Sequence, residues 1–335
     1  MAEPSTHPPP PALLEVDPGE DSTSESDYRE ELSAYSASLT SSVLDYRYTH
    51  GRRYHAYHSG SYQFPNDEAE QDRLDFFHHI LVHLTCGGRL HFAPFRPDGA
   101  RILDMGTGTG IWAIEMGDLY PNAEMILGND LSPIQPSWVP PNVKFLVDDV
   151  ESEWAHERPF DYIHERYLAA SIRDWPRLVR QCFDNLKPGG WVEFQEPQNP
   201  LHSEDGSVTP DNHVFRMLTL IDEAIGERHI NPGPHLEGWL KDAGFVNIHH
   251  EVFKLPIGTW PKDEKMKQIG AYMARMYLDG VDAFTNVPFT EVLKWSKAEV
   301  EVFNAKVRQD VLNKKYHGIH NFHVIWAQKP DGSGN

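Results

Sequence analysis

Cysteine is nearly absent. Cys86 and Cys182 are the only 2 in 335 residues, too few for a disulfide framework or a cysteine-based zinc cluster. That usage fits a reducing interior, so the expected location is cytoplasmic. Basic residues are scarce too: 30 Lys+Arg against 50 Asp+Glu leave a net charge of -20, the opposite of the footprint of a protein held to phosphate backbones. Nucleic acid is therefore not an expected partner. Long apolar runs are missing as well. Nothing approaches the roughly 18 residues of a membrane span, and the start of the chain, with its Pro8 to Pro11 run, lacks the charged-then-apolar pattern of a signal peptide. No membrane association is expected. What is present, 39% hydrophobic and 24% charged residues over 335 positions, suffices for one large or two small domains with a full core.

Residues 1–31 hold nine acids against the single Arg29, with six prolines, a composition that cannot bury enough apolar surface to order itself. The expected organisation is a disordered Pro/Ser-rich acidic tail over 1–42, a helical cap over 43–98, and an α/β domain over 99–330. Helical insertions are expected at about 199–244 and 262–315, with a flexible C-terminus at 331–335. In the cap, Leu74, Phe77, Ile80, Leu81 and Leu84 recur at helical spacing. From Arg101 the texture changes to short apolar runs separated by helical stretches, the alternation of a parallel α/β sheet. Strands are predicted at Arg101–Leu103, Met125–Leu127, Val143–Val147, Tyr162–Ile163 and Trp191–Phe194, as five β–α units, with the last strand preceded by a Lys187-Pro188-Gly189-Gly190 turn. Phe245–Leu255 and Ile319–Ala327 are two further strand candidates.

Chemistry concentrates in Ile102-Leu103-Asp104-Met105-Gly106-Thr107-Gly108-Thr109-Gly110, an apolar strand running into a glycine-rich turn that opens a helix. Such glycines allow a tight turn and a close ligand. Gly108-x-Gly110-x-x-Ala113, with Asp130 twenty residues after Gly110, also satisfies the dinucleotide pattern, so a nicotinamide oxidoreductase is a rival reading. Asp104 separates the two. A carboxylate there repels a pyrophosphate but suits a ligand carrying an ammonium and a sulfonium, as S-adenosylmethionine does. Asp130 then takes the ribose hydroxyls, and Asp149-Val150 stands where a carboxylate accepts from the adenine amino group while an apolar neighbour packs the ring.

This loop, with Asp130-Leu131-Ser132-Pro133-Ile134-Gln135-Pro136, Asp148-Asp149-Val150-Glu151 and Lys187-Pro188-Gly189-Gly190-Trp191, resembles the seven-stranded class I methyltransferases. More narrowly, Gly51-Arg52-Arg53-Tyr54-His55-x-Tyr57, Tyr62-x-x-Pro65-Asn66-Asp67 and Glu70-Gln71-Asp72-Arg73-Leu74-Asp75 are similar to the fungal methyltransferases grouped with the secondary-metabolism regulator LaeA. The likeness runs from about residue 46 to 330. It implies a Rossmann-like α/β sheet of seven strands with a helical cap, S-adenosyl-L-methionine as cofactor, and cofactor ligands at Asp104, Gly106, Thr107, Gly108, Gly110, Asp130, Leu131, Asp149 and Val150. Asn129 stands where an apolar residue is expected.

Methyl transfer from a sulfonium is catalysed mostly by proximity and alignment, and a base is needed only if the accepting atom must lose a proton. His164, after the fourth strand, is the candidate catalytic base, with Glu196 a second. Arg73 is a candidate clamp for the methionine carboxylate, and Tyr54 or Tyr62 a cation–π partner of the sulfonium. No metal is expected: strand alternation sets His320 on the opposite face from His317 and His323. Trp112, Ile111 and Ile114 read as the packing face of the first domain helix. The expected function is methylation of a small-molecule acceptor in fungal secondary metabolism. The alternative is a LaeA-like nuclear regulator acting through protein partners, although basic pairs occur only at Arg52-Arg53 and Lys314-Lys315, short of a nuclear-localisation run.

Overall fold

A computed structural model describes residues Leu14, 65–226, 228 and 230–332. Apart from Leu14, the acidic tail lies outside the described residues, as do Tyr54, Tyr62 and the 51–57 motif. Seven strands form one sheet in the order β3-β2-β1-β4-β5-β7-β6. They are β1 (Arg101–Met105), β2 (Met125–Asp130), β3 (Val143–Val147), β4 (Phe160–Arg166), β5 (Leu186–Pro197), β6 (Val246–Pro256) and β7 (Ile319–Gln328). β7 runs antiparallel to both β5 and β6, while β1 to β5 pair in parallel. Its first residues therefore lie at the carboxyl edge of the parallel strands, the edge where α/β ligands bind. The sheet that the resemblance implied is present; β3 matches its expected run, and β1 and β2 extend past theirs because sheet pairing carries polar ends such as Asp104 and Asp130 into the ladder.

Among the described residues the cap begins with α1 (Glu68–His79), whose N-cap Asp67 accepts from the Glu70 backbone NH at 3.0 Å, and continues through a π-helical segment, Ile80–Thr85. It is not a separate body. Phe77, Ile80 and Leu81 pack with Met273 and Tyr277 of α6 (Glu264–Val287), while Val82, Leu90 and Phe95 join Ile102, Trp112 and Tyr162 under β1 and β4. The buried Glu193 carboxylate fixes the following loop by accepting from the Phe92 and Ala93 amides at 2.8 and 2.9 Å.

Five β–α units are not formed. Only α2 (Ile111–Leu119) and α3 (Trp175–Asn185) connect parallel neighbours, β1 to β2 and β4 to β5. Pro133, Pro136, Pro140 and Pro141 remove the amides a helix between β2 and β3 needs. The expected turn at Lys187–Gly190 is instead a bulge inside β5: Phe160 pairs with Leu186, yet Tyr162 pairs with Trp191. The expected insertion at 199–244 also divides. Its first helix, α4 (His213–Ile225), lies in the cap-side core with Met273 and Tyr277. Its second, α5 (Gly233–Ala243), covers the sheet beside α3 through Leu236 and Leu240, so it belongs to the central domain. Asp263 caps α6 by accepting from the Met266 amide at 2.9 Å, and Pro288 stops it before α7 (Lys297–Val311), which opens on a Ser296/Glu299 capping box.

Candidate functional site

The carboxyl ends of β1, β2 and β4 open into a cavity roofed by α1. Asp104 lies at its floor, only 3% exposed. Its Oδ1 accepts from His164 Nδ1 at 2.7 Å and its Oδ2 from the Thr107 hydroxyl at 2.6 Å. Asp104 and His164 are register partners on adjacent strands, which sets both side chains on one face of the sheet. Trp112 of α2 stacks on the His164 ring at 3.8 Å and 3°, and its indole NH donates to the Leu90 carbonyl at 2.8 Å. The aromatic that reads as packing thus also lines the cavity.

The glycine turn wraps this carboxylate. Asp130, at the end of β2, accepts from the Gly108 amide through Oδ2 and from the Ser132 amide through Oδ1, both at 2.9 Å. Gln135 closes the turn, donating to the Gly108 carbonyl at 2.6 Å and the Ser132 carbonyl at 2.9 Å. Asn129, at the expected apolar position, is buried and uses its backbone carbonyl to accept from the Thr107 amide at 2.9 Å. Asp149 lies past β3 and accepts from the Glu151 amide at 2.9 Å, with Val150 and Leu131 on the cavity wall beside it. Asp104, Gly106, Thr107, Gly108, Asp130, Leu131, Asp149, Val150 and His164 are thereby brought to one cavity.

Gly110 stands apart. It is not among the lining residues: its left-handed backbone (φ +83°) opens α2, and a Cβ there would meet the Phe145 ring at 2.4 Å. Its smallness serves helix–sheet packing. Arg73 stands apart as well. Its guanidinium forks onto Glu70 at 3.0 and 2.6 Å and lies over Phe284, 4.8 Å from the ring centroid, lining a different, second cavity. Glu196 lies in neither cavity. Its buried carboxylate accepts from the Leu168 and Ala169 amides and adjoins that of Glu165, which also accepts from Leu168. The three histidines of the C-terminal strand region part company: His317 pairs with Asp205 at 2.6 Å, His323 with His250 at 2.8 Å, and His320 with Tyr277. Among the described residues no three His, Cys, Asp or Glu side chains converge as a metal site.

Sequence reading missed Arg166 and His78. Arg166, two residues past His164 on the same face of β4, lines the cavity and donates through Nη2 to His78 Nδ1 at 2.6 Å. His78 Nε2 therefore carries the proton and donates to Glu115 at 3.0 Å. Burial, then the Arg166 charge, lowers the His78 pKa to about 4, so the ring is neutral. Arg166 Nη1 is buried with no hydrogen-bond partner. The only available signal was a charged pair, Glu165-Arg166, ending an apolar strand. Asp75 ties α1 to the turn by accepting from the Thr109 hydroxyl at 2.5 Å, and burial raises its pKa to about 6.

A second cavity adjoins the first, and Phe77 and Tyr167 line both. Their rings meet edge-on at 4.8 Å. Tyr167 follows β4 with φ +65°, a left-handed conformation rare for a bulky residue, and the Leu168 and Ala169 amides beside it are those pinned by Glu165 and Glu196.

A sheet in the order 3-2-1-4-5-7-6 with β7 reversed, carrying an acid at the end of β1 beside a glycine turn, is the architecture of class I methyltransferases, not the 3-2-1-4-5-6 sheet of dinucleotide dehydrogenases. Comparison with known proteins agrees. Residues 77–250 match the family described as a methyltransferase domain. Methyltransferase pytC of Aspergillus terreus is 53% identical over 88% of this chain and 91% of its own length. Secondary metabolism regulator LAE1 of Cochliobolus heterostrophus is 37% identical over 84% of this chain and 94% of its own. Protein-methionine methyltransferase laeA of Emericella nidulans is 35% identical over 84% of this chain and 75% of its own. The chain belongs to the methyltransferase-domain family, in the group formed by these fungal proteins, and S-adenosyl-L-methionine is the cofactor of that class. No helix among the described residues is long and apolar enough to cross a membrane.

Proposed function

We propose that this methyltransferase acts on a small molecule of fungal secondary metabolism, in the cytoplasm, with the methyl donor in the cavity over Asp104. The observation that carries the reading is the abutment of two cavities along Phe77 and Tyr167: one with carboxylates at three strand ends, and one lined almost wholly by apolar side chains. A buried carboxylate and an unpartnered buried guanidinium nitrogen in one cavity suit an amino-acid zwitterion, so Asp104 takes its ammonium and Arg166 its carboxylate. Asp130 takes the ribose hydroxyls. Asp149 and Val150 take the adenine edge and face. S-adenosylmethionine, when bound, supplies an electrophilic methyl group on a sulfonium.

The chain's own contribution is alignment and exclusion of water. His164 orients Asp104 from beneath the Trp112 indole, with Nδ1 committed to Asp104 and Nε2 buried without a partner; we read it as a positioning residue, and the rival role as a base turns on Nε2. α1 roofs the donor cavity and is latched to the turn through Asp75 and Thr109. Small-molecule transfer also accords with the 53% identity to a protein named only as a methyltransferase, against 37% for one named as a regulator. Two measurements test the reading. Calorimetric titration of the full chain should show S-adenosylhomocysteine binding and no NAD binding. Metabolite profiling of a host with and without the gene should show one compound lost and a relative lighter by one methylene gained. A simultaneous fall of many unrelated products would instead favour regulation through protein partners.

A further inference from the structure

The second cavity carries an inference about what it accepts, one that rests on the methyl-transfer reading above. Its walls are apolar, with Leu218 and Ile221 from α4, Met273 and Met276 from α6, and Leu255 from β6. Unbranched, polarisable methionines adapt to an irregular apolar guest. Arg73, at the wall, is engaged by Glu70 and Tyr167.

Two other polar points interrupt the apolar lining. His320, at the first turn of β7 onto the carboxyl edge, has its Nδ1 3.2 Å from the Gln198 carbonyl oxygen. A carbonyl only accepts, so Nδ1 carries the proton. Burial keeps the ring neutral by lowering its pKa to about 4, and Nε2 therefore accepts from the Tyr277 hydroxyl. With that hydrogen committed, the Tyr277 oxygen has only lone pairs left to offer. Asn199, 6% exposed, donates through Nδ2 to the Ile230 carbonyl at 2.9 Å, which leaves its Oδ1 buried with no partner. A buried acceptor without a donor is costly, and native structures rarely keep one without a water or ligand to satisfy it. Both points offer an oxygen lone pair to a guest: the Tyr277 hydroxyl has no hydrogen left, and the Asn199 amide keeps one Nδ2 hydrogen beside its unpartnered Oδ1.

We propose that this chamber is the acceptor site and that it takes a mostly apolar molecule which presents a hydrogen-bond donor to Asn199 Oδ1 and the Tyr277 oxygen. A guest ending in a carboxylate meets lone pairs with lone pairs and is rejected; an ether of the same shape loses the hydrogen bond. The chamber thus selects by what hydrogen the guest brings as much as by its apolar bulk.

The test uses 2-naphthol, 2-methoxynaphthalene and 2-naphthoate as probes, with binding to the full chain followed by ligand-observed NMR, both cofactor-free and saturated with S-adenosylhomocysteine. Naphthol should bind at least tenfold more tightly than either of the other two. Tyr277→Phe should cut that preference several-fold, and Met273→Trp, which fills the chamber, should abolish naphthol binding while S-adenosylhomocysteine still binds. Equal affinity for naphthol and its methyl ether, undiminished naphthol binding by Met273→Trp, or no naphthol binding at all would overturn the assignment. Loss of S-adenosylhomocysteine binding in the native chain, with the naphthol preference intact, would sink the methyl-transfer reading alone.

Discussion

His164 Nδ1 donates to Asp104 Oδ1 across 2.7 Å, joining register partners of β4 and β1 at the carboxyl edge of the sheet. The carboxylate that the sequence marks for an ammonium is thus already gripped from below, by His164 and the Thr107 hydroxyl. Its remaining lone pairs are aimed by partners that cannot turn, because Trp112 stacks flat on the imidazole.

Replacing Asp104 separates charge from packing. Asp104→Asn keeps the shape but removes the counter-charge, and S-adenosylhomocysteine affinity should fall at least tenfold, about 1.4 kcal/mol. Asp104→Ala also strands the donors of His164 and Thr107, at about 1–3 kcal/mol of folding stability each time a buried group loses its partner. Calorimetry and urea unfolding on both variants read the two effects apart. Unchanged affinity in Asp104→Asn would defeat the assignment.

His164 as a positioning residue makes a different prediction from His164 as a base. Acting through Asp104, His164→Ala should weaken S-adenosylhomocysteine binding, and the double variant with Asp104→Asn should lose little more than Asp104→Asn alone. The coupling expected for residues in direct contact is about 0.5–3 kcal/mol. Additive losses, or full binding with slowed turnover, would restore the base.

Gly110→Ala should destabilise the fold and spare the donor site. The new Cβ would lie 2.4 Å from the Phe145 ring on a backbone at φ +83°. Overpacking costs about 1–3 kcal/mol, and a left-handed alanine about 1–2 kcal/mol more. Unfolding in urea should show that loss, partly recovered with Phe145→Leu, while affinity per folded molecule changes less than twofold. A binding defect without a stability defect would return Gly110 to the cofactor site.

Most of the donor site was legible because it is built from consecutive residues at strand ends: a strand, a turn and an acid in one dozen positions, with Asp130 and Asp149 repeating the device on β2 and β3. Gly110 is ambiguous in sequence because a glycine set against Phe145, thirty-five residues further along the chain, looks the same as a glycine required by a ligand. Arg73 and Arg166 could not be told apart in sequence for a related reason: a helical position and a strand end both carry an arginine, and only the tertiary fold shows that Glu70 captures the first while the second lines the cavity over Asp104. The acceptor chamber was legible only as a region. Its polar points, Asn199, Tyr277 and His320, come from a loop, α6 and β7, and nothing in their spacing announces that they meet.

The loop after β4 should loosen as the pH rises. Glu165 and Glu196 adjoin in the core, and both accept from the Leu168 amide that follows Tyr167. Burial and the neighbouring Glu196 charge hold Glu165 well above the usual carboxylate range, and burial raises Glu196 to about 7. A carboxyl whose folded pKa exceeds its unfolded value of about 4.5 binds more protons folded than unfolded between the two. Its stabilisation is therefore complete below about pH 4.5 and is lost as the pH climbs through about 7, where the pair must take on a buried charge. Glu196→Gln keeps an oxygen for the Leu168 and Ala169 amides and cannot ionise. Melting temperatures from pH 5 to 8.5 should fall less steeply for the variant than for the native chain, with the gap opening near pH 7. Parallel curves would show that the pair carries no proton between its carboxylates, and would leave the Tyr167 conformation to be held by packing alone.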